Sequence, residues 1–365
     1  MRTTTHRGRV AAVLAVTALL TTACAGGDDD VAASVTCEAG QTDGDLLLYN
    51  WTDYVDPELI PAFEAEYGVA VVEDFYTSNE ELLARISAGG AGYDVVVPSD
   101  YAVRIMVEEG DLLELQHDAI PNLANLRADF SDPAYDPGNT HSVPYLWGTT
   151  GLGVNVGLLG DVEPSWALVF DPEVAGNLPG RVSMLDDPRE VLGAALHYLG
   201  LDPNTTSEED LQRAADLVAQ AREWTAAYDS GTYQDLLVSG EVVVAQGYSG
   251  NFLEAFDGLE GFAYLVPEEG ATVWTDAMAI LADAPHPCTA HAFIDFVLTA
   301  ERGAALTEYI YYPSPNAAAE ALIDPEILAD PAVYPAPATQ ERLQFLEDTG
   351  EFETRFTDLY EQAKS

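Results

Sequence analysis

The sequence predicts an α/β fold in two lobes, with a ligand cleft between them. At 365 residues the chain is too long for one small hydrophobic core, so two cores are expected. Strand and helix patterns alternate in the first part of the chain and again in the second. This alternation favours parallel strands joined by right-handed helical connections. Such sheets bind ligands beside the carboxyl ends of their strands.

The elements of the first lobe follow from apolar runs and helix caps. An apolar strand at residues 46–49 precedes Asp56 and Pro57, a favourable helix start, and Gly68 is a natural stop. The next elements are a strand at 69–76, a helix capped by Ser78 or Asn79, a strand at 93–99, and a helix that Gly110 closes.

The second lobe repeats this pattern. Its predicted elements are strands at 151–156, 180–185 and 241–248, and helices that begin at Ser207 and span 290–310. Ser207 with Asp210 resembles a capping box, and the apolar residues that follow fall on one helical face.

The charge of the chain is strongly acidic. Asp and Glu number 62 against 14 Lys and Arg, which gives a formal net charge of −48. Binding to nucleic-acid phosphates needs basic patches, so nucleic acid is excluded as a partner. We interpret the charge as a solvated acidic coat of the halophilic kind. Steering of a polycationic ligand is the alternative, and salt weakens it because the Debye length falls to about 3 Å at 1 M.

The N-terminus has the pattern of a targeting segment. Arginines precede a short apolar stretch at residues 10–20, and Cys24 follows a small residue. The stretch is shorter than the roughly 20 residues that span a bilayer. It resembles a bacterial lipoprotein signal, which would make residues 1–24 the signal and Cys24 the lipidated residue. Because Thr21 stands where Leu is usual, plain secretory cleavage stays open. Residues 25–43 are predicted to be a flexible polar tether.

Two further cysteines, Cys37 and Cys288, are predicted to form a disulfide. Bridged cysteines are favoured over free ones in exported proteins. The bridge would bring the start of the folded region beside a segment far along the chain. No third cysteine or histidine cluster lies nearby, so a zinc site is not predicted.

The sequence carries no strong catalytic motif. It lacks the phosphate-binding loop and the HExxH zinc motif, and residues 247–250 fall short of a nucleophile elbow. We therefore predict a protein that is not an enzyme, with no cofactor, catalytic residue or metal ligand.

Aromatic, hydroxyl and carboxylate side chains follow the predicted strands in both halves. Aromatic faces attract ammonium groups by roughly 0.5–2 kcal/mol each, and carboxylates supply charge-assisted hydrogen bonds. The pattern indicates a site for an organic cation. Its members are Trp51, Thr52, Tyr54, Ser99, Tyr101, Asp186, Asp187, Glu190, Tyr248, Trp274, Asp276, Tyr311 and Tyr312.

Each of these residues also has a structural interpretation. Asp186 or Asp187 can cap the helix that follows, and Asp276 can cap a helix at 277–282. Trp51 and Tyr54 can be core packing. The cation site is favoured by the joint placement of these residues rather than by any one of them.

Six segments resemble the spermidine/putrescine-binding proteins of polyamine ABC importers. They are YNWTDYV, GYDVVVPSDYAV, VPYLWGTTGLGVN, LDDPREV, WTDAMAI and YYPSPN, in the same order from Asp45 nearly to the C-terminus. The resemblance implies a two-lobed periplasmic binding protein fold of type II, which closes on its ligand like a hinge. It implies a monomeric, extracytoplasmic, lipid-anchored protein that delivers a polyamine to permease subunits. The implied lobes are residues 44–150 with 275–320, and 151–274 with 321–365.

The resemblance also implies roles for single residues. Asp276 would meet a central amine, Asp187 and Glu190 a terminal ammonium, and Thr52 and Ser99 the other end. The aromatic walls would be Trp51, Tyr54, Tyr101, Trp274 and Tyr312. Tyr248 stands where the family usually has Trp, which leaves ligand length open. Gln344 is the nearest match to a glutamine that contributes in the family.

Two other functions remain open at this point. Tyr311 and Tyr312 resemble the paired tyrosines of ferric-ion-binding receptors, and phenolate and carboxylate oxygens suit Fe(III). Trp51 and Trp274 would then be unexplained. Alternatively, Asp187, Glu190 and Asp276 could include the acid and base of a glycosidase.

Overall fold

The computed structural model describes residues 36–89, 92–178 and 180–365. The predicted signal segment, Cys24 and most of the predicted tether lie outside the described residues. Among the described residues, no helix has the length and apolar character that crossing a bilayer requires.

Ten strands form the sheet structure of the described residues. They are β1 Leu46–Trp51, β2 Val71–Tyr76, β3 Val95–Val96, β4 Ser142–Val154, β5 Arg181–Met184, β6 Thr225–Tyr228, β7 Val242–Tyr248, β8 Ala263–Leu265, β9 Ala271–Ile280 and β10 Leu343–Gln344.

Fifteen α-helices are described between and after these strands. They are α1 Leu59–Tyr67, α2 Asn79–Ser87, α3 Asp100–Glu109, α4 Val156–Leu159, α5 Ala167–Phe170, α6 Pro188–Tyr198, α7 Glu208–Ala221, α8 Tyr233–Val238, α9 Ser249–Phe256, α10 Pro287–Val297, α11 Ala300–Ile310, α12 Ala317–Glu320, α13 Pro325–Ala329, α14 Pro337–Gln340 and α15 Glu353–Lys364.

Eight of the described strands follow one path in the order β2-β1-β3-β9-β4-β7-β5-β6, while β8 pairs with β4 and β10 with β9. Strand β1 runs parallel to β2 and β3, and β5 runs parallel to β6 and β7, as the alternating pattern predicts. The central strands differ from that prediction, because β9 is antiparallel to β3 and β4, and β4 is antiparallel to β7. The sheet is therefore mixed, with parallel strands at its two ends.

The two largest hydrophobic cores among the described residues flank the central strands. The first core uses residues between Leu46 and Leu146 and between Trp274 and Tyr312. The second uses residues between Leu152 and Ala271 and from Phe356 onward. We refer to the structure around these cores as the first and the second lobe.

Strands β4 and β9 contribute to both cores and so connect the lobes. The first part of β4 pairs with β9, and from Thr150 onward β4 pairs with β7 of the second lobe. Every residue of β4 and β9 is buried. Their middle residues, near Gly148 and Trp274, therefore lie where the two lobes meet.

Most predicted helix caps are confirmed. Ser78 Oγ accepts the Glu81 N–H at 3.2 Å, and Ser207 Oγ accepts the Asp210 N–H at 3.3 Å. Gly110 ends α3 in the left-handed conformation with φ 79°, which glycine adopts without strain.

Three local predictions are wrong. Helix α1 begins two residues later than predicted, because Asp56 Oδ1 accepts the Glu58 N–H and closes a turn before the helix. The predicted strand at 93–99 forms a continuous strand only at Val95 and Val96, and Ser99 adds an isolated bridge to Asp276. The single helix predicted at 290–310 is two helices, interrupted at Leu298 and Thr299.

The predicted disulfide between Cys37 and Cys288 is present, with a Cα–Cα distance of 5.2 Å. It joins the start of the described chain to α10. Nearby, Asp43 Oδ1 accepts hydrogen bonds from the N–H and hydroxyl of Thr289 at 3.0 and 3.1 Å. Residues 37–43 are thereby held against the first lobe.

Candidate functional site

A narrow cleft lies between the lobes, at the carboxyl ends of β1, β2 and β7. Eight of its lining side chains are aromatic and five are carboxylates, whereas none of the lining residues is Lys, Arg or His. The lining residues are Trp51, Thr52, Asp53, Tyr54, Tyr76, Thr77, Asn79, Ser99, Asp100, Tyr101, Asp187, Glu190, Ser230, Gly231, Tyr233, Gln234, Tyr248, Asn251, Trp274, Asp276, Tyr312 and Leu346.

Trp51 and Tyr248 close the cleft from opposite lobes. Their ring centroids are 6.4 Å apart. Trp51 Nε1 donates a 2.8 Å hydrogen bond to the Val97 carbonyl, which holds the indole at the end of β1. Trp51 also packs against Tyr76 with ring centroids 4.6 Å apart, so its position is fixed within the first lobe.

A second aromatic group surrounds Trp274 in β9. Its ring lies 5.8 Å from the ring of Tyr248 and 5.2 Å from that of Tyr312, and Tyr54 packs edge-on against Tyr312. Trp274 Nε1 is buried and has no hydrogen-bond partner in the described structure. These rings provide the π faces that an ammonium or methylene group would contact.

Two glycines make room for these rings. A Cβ on Gly148 would come within 2.7 Å of the Trp274 ring, and one on Gly250 within 2.6 Å of the Tyr312 ring. Real Cβ atoms do not approach other atoms so closely. The glycines of the segments WGTTG and GYSGN therefore serve the packing of the aromatic wall.

Asp276 provides a carboxylate in the middle of β9. Because it lies inside a strand, the alternative interpretation of Asp276 as a helix cap is wrong. Ser99 Oγ donates a 2.6 Å hydrogen bond to Asp276 Oδ1. Burial raises the pKa of Asp276 to about 7, against the opposing effect of the Ser99 and Tyr54 hydroxyls. The cavity holds no basic side chain to compensate this carboxylate.

Asp187 both caps α6 and lines the cleft. Its Oδ1 accepts the N–H groups of Arg189 and Glu190, each at 3.0 Å, so the capping interpretation is confirmed. Burial and the neighbouring Glu190 carboxylate raise the pKa of Asp187 to about 7. Capping uses one carboxylate oxygen, and the residue still forms part of the cleft surface.

Glu190 adds a second carboxylate in the first turn of α6. Its Oε2 is buried without a hydrogen-bond partner. Burial raises its pKa to about 7, while the Thr150 and Thr272 hydroxyls act in the opposite direction. Asp187 and Glu190 thus place two poorly compensated carboxylates on one wall. Buried charges without partners are costly, so this wall favours a cationic ligand.

Arg189, which lies between these two acids in the sequence, does not line the cleft. Its guanidinium is 1% exposed and donates to Glu353 Oε1 at 2.5 Å. It also lies 5.3 Å from the centroid of the Tyr101 ring and donates to the Glu347 carbonyl at 3.0 Å. The positive charge is therefore engaged with the C-terminal segment rather than with a ligand.

Asp100 is a cleft carboxylate that sequence reasoning missed. Its Oδ1 accepts the Tyr101 N–H at 2.7 Å and its Oδ2 accepts the Thr275 N–H at 3.0 Å. Burial raises its pKa to about 8. The signal was available, because Asp100 stands between Ser99 and Tyr101 at the end of a predicted strand.

Ten other lining residues were also missed. Tyr76 and Asn79 end β2 and begin α2, so the strand-end argument could have found them. Tyr233 and Asn251 reach the cleft through tertiary packing: Tyr312 Oη donates to Asn251 Oδ1 at 2.6 Å, and Tyr233 packs on Tyr248. The others are Asp53, Thr77, Ser230, Gly231, Gln234 and Leu346.

Eleven of the twelve ligand-binding residues predicted from the sequence line this one cleft, and Gln344 does not. Gln344 is exposed in β10, where it pairs with Thr272 of β9. Pairing with the edge of β9 directs residue 344 away from the cavity, and Leu346 lines it instead. Tyr311 is also absent from the lining, because it ends α11 with φ 56° while Tyr312 turns into the cleft.

A closed cleft between two lobes, crossed by two connecting strands, defines the class of two-lobed solute-binding proteins. The chain belongs to the bacterial extracellular solute-binding protein family, whose profile matches residues 58–336.

Named relatives cover most of the chain. A putrescine/cadaverine-binding protein of Pseudomonas aeruginosa is 38% identical over 83% of this chain and 88% of its own length. The spermidine/putrescine-binding periplasmic protein of Escherichia coli is 34% identical over 88% of this chain and 91% of its own. The solved structure of the Tp0655 (TpPotD) lipoprotein of Treponema pallidum is 33% identical, with a TM-score of 0.75 over 87% of this chain and 99% of that one.

Proposed function

We propose that this protein captures a polyamine outside the cytoplasm and delivers it to the permease of an ABC importer. The observation that carries the proposal is the composition of the cleft: eight aromatic rings and five carboxylates line it, without a basic side chain. A polyamine offers the complement of such a surface, since ammonium groups alternate with methylene chains that contact ring faces.

The positions of the carboxylates support a ligand with at least two ammonium groups. Asp276 lies on β9, and Asp187 and Glu190 lie at the start of α6 in the second lobe. Putrescine or spermidine could pair with carboxylates of both groups and so draw the lobes together. The names of the relatives, which are putrescine-, cadaverine- or spermidine-binding proteins, agree with this class of ligand.

The names of two relatives indicate a location outside the cytoplasm. The relatives from Escherichia coli and Treponema pallidum are named as a periplasmic protein and a lipoprotein. We infer an extracytoplasmic monomer that is attached to the membrane through lipid on Cys24. Its partners would be the polyamine and the permease subunits, and it would carry out no catalysis.

The ferric-ion and glycosidase alternatives have less support. Tyr311 and Tyr312 diverge, so they do not supply a pair of phenolate ligands to one site. No group of three His, Cys, Asp or Glu side chains arranged for a metal occurs in the described part of the chain. A glycosidase would leave the extensive aromatic wall around Trp51 and Trp274 without a role.

A thermal-shift panel tests the proposal. Putrescine, cadaverine, spermidine, spermine, arginine, glutamate and ferric citrate would each be added to the purified protein. A ligand at a hundred times its Kd stabilises the native state by about 2.7 kcal/mol, so a true ligand raises Tm by several degrees. We expect this for at least one polyamine. A shift with ferric citrate or glutamate alone would contradict the proposal.

A further inference from the structure

Glu80 and Asp187 belong to opposite lobes and lie at a contact that Tyr101 makes between them. Tyr101 Oη donates to Glu80 Oε1 at 3.1 Å, and the guanidinium of Arg189, two residues after Asp187, lies 5.3 Å from the centroid of the Tyr101 ring. Glu80 lies in the first turn of α2 in the first lobe, whereas Asp187 caps α6 in the second. Burial is the main cause that raises the pKa of Glu80 to about 8, and the negative charge of Asp187 is the second cause. The two side chains therefore interact unfavourably when both are ionised and the cleft is closed.

The Glu80 carboxylate is only partly satisfied by its own lobe. Tyr101 Oη donates to Glu80 Oε1 at 3.1 Å, but Glu80 Oε2 is buried and has no hydrogen-bond partner among the described residues. A buried carboxylate oxygen without a donor costs free energy, which a proton or a nearby cation relieves.

Arg189 does not fully compensate this pair. Its guanidinium lowers the pKa of both Glu80 and Asp187, but it is also the ion-pair partner of Glu353 at 2.5 Å. Glu190 adds a further carboxylate to the same region. One guanidinium, already paired with Glu353, is thus the nearest positive charge for Glu80, Asp187 and Glu190 in this part of the described structure, so the closed cleft retains excess negative charge.

We propose that Glu80 is a specificity-determining residue that makes closure of the cleft depend on a bound cation. When the lobes are apart, water solvates Glu80 and Asp187 separately. Closure brings them together, and an ammonium group held by Asp187 and Glu190 removes the repulsion. Without a ligand, or with a neutral or anionic solute in the cleft, the repulsion remains and opposes closure. The inference rests on the proposed function in one respect: it assumes that the bound cation is an ammonium group of a polyamine.

The arrangement also predicts that ligand-free closure takes up a proton. In the closed form burial and the Asp187 charge raise the pKa of Glu80 to about 8, and opening would lower it towards its ordinary value of about 4.3. Between these values closing binds a proton, so falling pH favours the closed form and rising pH opposes it. The groups that face Glu80 are Tyr101 of α3 and Asp187 and Arg189 of α6. The pKa of Asp187 is also raised, to about 7, so its protonation likewise makes closure more favourable as pH falls.

Small-angle scattering of the ligand-free, full-length protein tests the inference. The radius of gyration would be measured at about pH 5.5 and about pH 9, on either side of the closed-form titration. For the wild type we expect a larger radius at the higher pH. At the higher pH, Glu80→Gln should have a smaller radius of gyration than the wild type. The difference should be comparable with the decrease that saturating putrescine causes in the wild type.

Two control variants separate this effect from a general loss of charge. Glu80→Asp keeps the carboxylate and should behave as the wild type. Glu109→Gln removes an exposed charge from α3 and should also leave the radius unchanged. If Glu80→Gln does not fold, Asp187→Asn removes the other charge, keeps a capping side chain, and should give the same smaller radius.

The inference is overturned if folded Glu80→Gln matches the wild-type radius at both pH values, or if Glu109→Gln compacts equally. A wild-type protein whose radius and Tm respond to no polyamine would instead contradict the proposed function. The ligand-free comparison would still decide the role of Glu80 in that case.

Discussion

Ser99 and Asp276 form a 2.6 Å hydrogen bond on the wall of the cleft, although 177 positions separate them in the chain. Ser99 precedes α3, and Asp276 lies within β9. The bond holds the carboxylate in one orientation without supplying a positive charge. Asp276 is thereby placed to pair with a cationic ligand.

Asp276→Asn should weaken spermidine binding by about 1.5–3 kcal/mol, because the amide replaces a charged acceptor. Isothermal titration calorimetry measures the change. Asp283→Asn, which alters an exposed aspartate beyond the end of β9, is the matched control and should leave the affinity unchanged. Equal affinities for Asp276→Asn and the wild type would remove Asp276 from the binding site.

Polyamine affinity should rise with pH up to about neutrality and then level off. In the empty cleft, burial raises the pKa of Asp187, Glu190 and Asp276 to about 7. A bound ammonium favours their ionised forms, so binding below this pH releases protons. Affinity then changes by up to about tenfold per pH unit for each proton released.

Calorimetry of putrescine binding at about pH 6 in buffers of different ionisation enthalpy checks this linkage. The ligand ammonium groups, with an amine pKa near 10, stay protonated throughout. The observed heat should depend on the buffer. Heat that is independent of the buffer, with an affinity that is flat from acid to neutral pH, would contradict the pKa assignments.

Tyr248→Ala should weaken polyamine binding by about 0.5–2 kcal/mol, because it removes a ring between Trp51 and Trp274. Tyr248→Phe keeps the ring and should retain most of the affinity. Comparing the two variants by calorimetry separates the ring from the hydroxyl. Equal losses in the Phe and Ala variants would show that the hydroxyl, not the π face, is the contact.

Glu353→Gln should destabilise the protein by about 1.5–3 kcal/mol, because it removes the charged acceptor that pairs with the buried Arg189 guanidinium. Urea unfolding followed by circular dichroism measures this. Glu108→Gln breaks the exposed pair with Arg104 and should change stability by less than about 0.5 kcal/mol. Similar effects of both substitutions would argue against a structural role for the buried pair.

Local features of the fold were predictable where the cause is local. The caps at Ser78, Ser207 and Asp187 depend on side chains that bond to backbone N–H groups two or three residues away. The break at Leu298 and Thr299 has no comparable signal in the sequence. The restriction of β3 to Val95 and Val96 depends on pairing with β1 and β9, which only the assembled sheet defines.

The candidate site was predictable where side chains follow strand ends. Trp51, Ser99 and Tyr248 are such residues, and they meet because these strands end at the same cleft. Glu80 and Asn251 are placed by contacts with helices and with residues distant in the chain, so no spacing rule identifies them. Gln344 was misplaced for the same reason, since its orientation follows from the pairing of β10 with β9.

The most direct test of the polyamine assignment is calorimetric titration of the wild-type protein with putrescine, spermidine and spermine beside ferric citrate. The aromatic and acidic cleft between the lobes provides a site for one ligand, so we expect binding of at least one polyamine with a stoichiometry of one and no heat from ferric citrate. Tight ferric binding without heat from any amine would contradict the account.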